Sequence, residues 1–364
     1  YLNDGKGNLT ISNGYTPPNT PTSSICTIDI NKDGKLDIVV AGSSIPGSYP
    51  YSEESYIMIN KGDGQFEKHT QDSLKKVRLA NDVTSADIDN DGTDEIVFAC
   101  EWNSIKLYKN INGKLKDITT SSGLEKHKGW WNSLKTFDLD NDGDLDIVAT
   151  NFGLNTKYKA SKDKPELLYF SDFDQSGKYD IVEAKFEGEA LVPRRGFSCS
   201  KMAMPFLNEK LKTFHNFASS SLTKIYTPSA ISSASRYEVN TLEHCVFINE
   251  NNKFKVTKLP IESQISPSFG FAFDDVDNDG ITDIIMAHNF YGPQRETGRM
   301  DGGLSLILIG KGNCEYTPLP HKKSGISISG DTRKVFALDI NNNGKKELIF
   351  AQNNGPLLFY LRDK

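Results

Sequence analysis

Short apolar runs recur along this chain, and none approaches the roughly 18 residues that span a bilayer. Tyr56-Ile-Met-Ile59, Leu145-Asp-Ile-Val-Ala149 and Leu304-Ser-Leu-Ile-Leu308 are examples, each bounded by polar residues rich in Asn, Asp and Gly. Runs of this length between such turns predict β-strands. The turns are of two kinds. One is an Asn-Gly turn, as in Asn3-Asp-Gly-Lys-Gly-Asn8, Asn60-Lys-Gly-Asp-Gly-Gln65, Asn110-Ile-Asn-Gly113, Asn249-Glu-Asn-Asn252 and Gly310-Lys-Gly-Asn313. It reads as the tip of a hairpin.

The other kind is acidic, and Asp138-Leu-Asp-Asn-Asp-Gly-Asp-Leu-Asp146 is its clearest copy. Oxygen-bearing side chains fall at positions 1, 3, 5 and 9, with glycine at position 6. That spacing lets a short loop fold around one hard cation, and the glycine permits the sharp turn. Position 12 is Ala149, where an EF-hand needs glutamate, and the flanks are strands, so the loop joins strands. Further copies are Asp29, Asn31, Asp33, Asp37; Asp87, Asp89, Asp91, Glu95; and Asp275, Asp277, Asp279, Asp283. Two weaker ones are Asp172, Asp174, Ser176, Asp180 and Asp339, Asn341, Asn343, Glu347. Carboxylates this crowded repel one another unless a cation neutralises them, which predicts several structural Ca2+ ions.

One repeat therefore reads strand, acidic loop, strand, connection, strand, Asn-Gly turn, strand. Four antiparallel strands recurring in this way predict an all-β fold, a β-propeller with six repeat units visible and seven blades possible. The expected organisation is a single domain over residues 1–364. Its first strand region, Tyr1 to Ser12, completes the last blade, which begins at Val335 and has strands for only three positions. The register slips after the third loop: the next starts at 172, only 34 residues beyond 138. The 172 loop is expected either as the outer turn of the third blade or as the start of a fourth. Residues 197–235 show helical spacing and predict a small helical insertion.

Charge follows the loops. The formal net charge of −6 includes 20 carboxylates at loop positions, so the remainder of the chain carries +14. The acidic balance therefore describes metal sites and says little about a partner. Nucleic-acid binding would need a basic face with interleaved aromatics, which the +14 remainder and Arg194-Arg195 support only weakly, so no nucleic acid is expected. The five cysteines show neither a disulfide framework nor zinc spacing. Free thiols point to a reducing compartment and calcium to an outside one; calcium is the stronger argument. The chain opens Tyr1-Leu-Asn-Asp-Gly without a methionine and is expected to be a fragment or processed form. Six scattered histidines accompany no nucleophile elbow or phosphate loop, so no catalytic residue is assigned. His127, His288 and Tyr291 lie in connections that could line one cavity.

On its six loops and Asn-Gly turns the chain resembles FG-GAP/VCBS-repeat propellers, the class that includes the integrin α-subunit head. Gly129-Trp-Trp-Asn132, Asn151-Phe-Gly-Leu-Asn-Thr-Lys-Tyr158, Glu296-Thr-Gly-Arg299 and Asn353-Asn-Gly-Pro356 resemble bacterial VCBS-repeat proteins associated with ASPIC/UnbV segments. The resemblance implies calcium at the loop aspartates and a role in adhesion or recognition at the cell surface, in the periplasm or outer membrane if bacterial. It also implies other domains or chains of a larger parent protein. Ser176, Asn341 and Asn343 depart from the aspartate pattern.

Strand parity divides the connections between two sides. Calcium loops and Asn-Gly turns fall on one side, and the long individual connections on the other. Binding residues favour variable loops on a rigid scaffold. The expected face for a glycan or protein ligand therefore carries Trp102, Trp130, Trp131, Arg194, Arg195, Tyr291, Arg295, Arg299 and Asn353. A carbohydrate-active lyase or dehydratase on the same scaffold is the alternative.

Overall fold

The computed structural model describes residues 1–12, 20–293 and 297–361. The chain is mostly β, as its repeats predict, and it forms two compact units rather than one domain. The first comprises Tyr1–Lys126, Trp130–Thr156 and Glu243–Lys364, the second His127–Gly129 and Lys157–Leu242.

The first unit has the blade architecture of a β-propeller. Its first sheet runs Thr22–Ile28, Asp37–Gly42, Tyr56–Gly62, Gln65–His69, each strand antiparallel to the next. The second contains Ala80–Ala86, Glu95–Ser104, Lys106–Ile111 and Lys114–Asp117 in the same sequence. The fourth runs Ser268–Asp274, Asp283–His288, Leu306–Gly310, Tyr316–Leu319. In the fifth, three strands are described: Thr332–Leu338, Glu347–Gln352 and Leu357–Tyr360. The first strands of the five sheets lie side by side in chain order.

The third sheet is the one that composition could not assemble. Ser133–Phe137 and Asp146–Thr150 pair as expected, but the next strand outward is Cys245–Asn249, followed by Phe254–Lys258. Ala149 lies opposite Cys245, so the outer hairpin is supplied from beyond the second unit. The 172 loop is neither the outer turn of this blade nor the start of a new one. It joins Glu166–Ser171 to Asp180–Glu187 in the second unit's own sheet. That sheet has the order Ala190–Pro193, Asp180–Glu187, Glu166–Ser171, Ser235–Val239, so its first strand is internal, unlike a blade. Short helices between Phe197 and Ser233 occupy the stretch predicted to be helical. Leu207, Leu211, Leu222 and Ile225 from these helices pack with Leu167, Val182 and Ala184 of the sheet. The helical segment is therefore part of a larger folding unit with its own core.

Alternation along the strands explains the cores of the first unit. Val39 and Ala41 of the first sheet meet Ile96 and Phe98 of the second. Val97 and Ala99 on the reverse of that strand meet Ile147 and Ala149 of the third. Every inner sheet is buried on both faces, because successive side chains point to opposite sides. Val83, Leu134, Phe271 and Val335, four residues before their loops, are all buried, whereas the equivalent Ile25 is 62% exposed. At loop position 2, Ile30, Ile88 and Leu139 are buried, whereas Ile340 is 49% exposed. The fifth sheet likewise exposes Phe336, Leu338, Leu357 and Phe359 on the face turned away from the fourth.

The expected closure by the chain start is not made among the described residues. Leu2–Asn3 pairs with Leu9–Thr10 as a separate hairpin. Its two strands satisfy one another, and Leu2 lies against the first sheet's outer turn at Gly64. Asp82 ties the inner strands together instead. Its carboxylate accepts from Ser24 Oγ (2.7 Å) and Ser133 Oγ (2.5 Å), and from the Leu134 N–H at 3.2 Å. Lys334 Nζ lies 3.8 Å away, so first, third and fifth sheets meet on one residue of the second. Among the described residues no helix is long and apolar enough to cross a membrane.

Candidate metal centres

Each acidic loop closes on itself through its first carboxylate. In the third loop Asp138 accepts from the N–H of Asp142 (3.2 Å) and of Gly143 (3.1 Å). The same two contacts recur from Asp29, Asp87, Asp172, Asp275 and Asp339. The backbone can bend this tightly because positions 4 and 6 are left-handed: Asn141 has φ +60° and Gly143 φ +96°. Asparagine tolerates that region and glycine has no penalty there, which accounts for the recurring Asn-x-Gly.

The ninth residue has a different task. Asp146 accepts from the Leu139 N–H at 3.0 Å, sealing the loop, and from the Asn249 N–H at 2.8 Å, anchoring the outer hairpin. Asp37 does the same for Ile30 and Asn60, and Asp283 for Val276 and Gly310. Within one buried carboxylate, metal-ligand capacity and sheet assembly are joined.

Four loops bring ligand oxygens within coordination reach of one another. The groups are Asp87, Asp89, Glu95; Asp138, Asp140, Asp142; Asp172, Asp174, Asp180; and Asp275, Asp277, Asp279. In the loops at Asp29 and Asp339, amides intervene. Asn31 donates to Asp33, and Asn341 donates to Glu347. The donor sets fit a hard cation. In the second loop, Asp89 Oδ1 and Glu95 Oε1 are buried without any hydrogen-bond partner. Burial pushes the pKa of Glu95 up to about 7 and that of Asp146 up to about 6, with neighbouring loop aspartates adding to the rise. A carboxylate oxygen left dry and unpaired is costly, and oxygen-ligated calcium is the ion that such sets accommodate.

Two side chains outside the motif enter the loops. Lys109, from the second sheet's third strand, reaches Asp89 and lies 2.8 Å from Asp91. Burial works against its charge, yet the hydrogen bonds to these aspartates hold its pKa above the usual value. Cys314, from the fourth sheet's hairpin, donates to Asp146 Oδ2 at 3.7 Å and lies near Asp140. Burial keeps this thiol protonated, so it is a hydrogen-bond donor and not a ligand for a hard ion. Neither contact has a local sequence signal, because both residues come from another strand or sheet. No disulfide joins any of the five cysteines.

The residues expected on a ligand face belong to both units. Trp131 is fully buried against Phe247, with Trp102 and Trp130 nearly so, packed edge to face at 5.0 Å. Trp102 donates to Tyr49, so the three indoles are core. Tyr291 donates to the Ser329 carbonyl, and the Arg299 guanidinium lies over its ring at 4.6 Å. Asn353 is held by Asp331. Arg295 lies outside the described residues. In the second unit, Arg194 forms a buried pair with Glu166 and stacks on Tyr158, and Arg195 lies 3.8 Å from Glu183.

This loop-and-strand build has a counterpart among known families. Residues 47–98 and 87–149 match the FG-GAP-like repeat. The matched stretch runs from the outer hairpin of the first sheet, through the second sheet and its loop, to the first hairpin of the third sheet with the loop at Asp138. No curated protein matches the sequence. Among solved structures, the Vibrio cholerae biofilm matrix protein Bap1 is similar over 91% of this chain and 66% of its own, at 12% identity and a TM-score of 0.34. The exotype rhamnogalacturonan lyase YesX is similar over 93% and 61%, at 13% identity and 0.29. A Bacillus licheniformis rhamnogalacturonan lyase gives 93% and 60%, at 14% identity and 0.31. The chain thus spans less than two thirds of the length of each, and at these scores none bears on what it binds.

Proposed function

We propose that this chain is a calcium-stabilised recognition module working outside the cell, where its propeller displays long connections to a glycan or protein ligand. The observation that carries the reading is the second loop, whose two buried carboxylate oxygens have no partner in the fold itself. The calcium is structural in this reading: three loop carboxylates converge in each of four loops, and each loop joins two strands of one sheet. Millimolar calcium outside cells suits sites of this kind, which in extracellular modules have dissociation constants of roughly 10⁻⁴–10⁻³ M.

Melting curves in calcium and in excess chelator test the first half. An ion at about one to ten times its dissociation constant stabilises by about 0.4–1.4 kcal/mol per site, so chelating several sites lowers Tm by several degrees. Calcium restores the Tm better than magnesium, which demands a tighter octahedral shell. An unchanged melt in chelator sinks the reading. Screening the calcium-loaded protein on a glycan array and against surface extracts tests the second half. Release of an unsaturated sugar, read as ultraviolet absorbance, would replace recognition by lyase activity.

A further inference from the structure

A cavity of about 390 Å³ opens in the fourth sheet, away from the acidic loops. Four polar side chains line it: Glu262, His288, Ser305 and His321. The remainder of the wall is largely apolar, with Ile265, Leu306, Pro318 and Pro320 among its residues. Its size is at the small end of the range for small-molecule pockets, roughly 300–1,000 Å³.

His288 ends the second strand of this sheet and is 1% exposed. Neither of its ring nitrogens has a hydrogen-bond partner, and the buried hydroxyl of Ser305 has none either. The Ser263 carbonyl lies near enough to the imidazole to favour its charged form, but no hydrogen bond between them meets the distance and angle required. Burial pushes the His288 pKa down to about 3, helped by His244 and His321, so the ring is neutral and offers one donor and one acceptor. His321 has Nδ1 engaged by the Ile326 carbonyl at 2.8 Å, which leaves Nε2 for a ligand. Buried groups left unpaired like these are costly to the fold. His244, by contrast, is fully satisfied by Asn151 and Ser266, so an unpaired histidine is not the habit of this core.

We propose that this cavity binds an uncharged, hydroxyl-bearing small molecule, a neutral sugar ring or polyol. A hydroxyl both donates and accepts, as the neutral imidazole and the Ser305 hydroxyl require. Among the described residues no Lys or Arg lines the cavity, and Glu262 places an acid in its wall, so a carboxylate-bearing ligand is disfavoured. The apolar wall suits the C–H faces of a ring. None of the acidic-loop residues lines the site, so its test stands apart from the calcium half of the recognition reading.

The test uses the calcium-loaded chain and a panel of neutral methyl glycosides and polyols, with D-glucuronate as the acidic counterpart. Binding is read by saturation-transfer NMR, and the histidine ring nitrogens by ¹H–¹⁵N spectra. At least one neutral probe is expected to bind and to shift the His288 ring resonances, with glucuronate at least tenfold weaker. Ser305→Ala, which retains the fold, weakens the probe at least tenfold, and Glu262→Gln narrows the discrimination against glucuronate. The proposal is overturned if no neutral probe moves the His288 signals, or if glucuronate binds as well. Unchanged affinity in Ser305→Ala, or a soaked crystal with only water on His288, overturns it equally.

Discussion

Lys109 reaches into the second loop, between Asp89 and Asp91. It is an internal counter-charge that a cation bound there would have to displace. Lys109→Met is expected to tighten calcium binding at this loop by roughly tenfold, an effect of about 1.4 kcal/mol. The same variant melts lower in chelator, because the aspartates then repel without a cation. Calorimetric titration and paired melts check both; an unchanged affinity would show that the lysine swings clear at no cost.

At the same scale His244 links stability to pH. Its Nδ1 accepts from the Asn151 N–H at 2.8 Å, and its Nε2 faces the Ser266 carbonyl at 3.1 Å. Burial depresses its pKa to about 4, against about 6.5 when unfolded. The unfolded chain therefore binds the proton first as pH falls. The contribution is fully present above about pH 6.5 and is lost progressively toward pH 4, amounting to about 2 kcal/mol by pH 5. His244→Gln should flatten that part of the stability profile in calcium. A variant retaining the parent slope between pH 7 and 5 would assign the effect to other groups.

Among the elements, the fifth sheet differs from its neighbours in what its faces meet. Phe271 on the fourth sheet's first strand is buried, while Phe336 on the fifth's is 45% exposed. Phe271→Ala should cost about 3–5 kcal/mol, as for a filled core position. Phe336→Ala should change stability by less than about 1 kcal/mol. Denaturant melts of the two variants in calcium decide it, and equal losses would mean that the outer face of the fifth sheet is covered in solution.

In the first unit taken whole, Asp82 joins strands that loops alone would leave separate. Asp82→Ala leaves two hydroxyls and a backbone N–H without their charged acceptor, so about 3 kcal/mol should be lost with calcium present. Asp82→Asn, which can still accept, should lose less. A calcium-loaded Asp82→Ala protein with the parent melting curve would remove this residue from the account of what holds the sheets together.

Local chemistry determined much of this protein. Loop spacing, the left-handed asparagine and glycine, and alternating apolar strands follow from backbone sterics and residue-to-residue periodicity, so the acidic loops and most strands were legible directly. The Asn-Gly turn at Asn249 was legible as a hairpin tip but not as belonging to the third sheet, since its partner Asp146 precedes it by a whole folded unit. Nor could order along the chain reveal that the 172 loop serves a different sheet, because one loop motif can join strands in any antiparallel pair. Burial decided the tryptophans: an aromatic beside a long connection has the same local signal in a core as on a surface. The pairing of Lys109 with Asp89, the convergence on Asp82 and the unpaired ring of His288 are contacts between distant strands. Only tertiary structure sets them, because a side chain's partners depend on which sheet faces it in space.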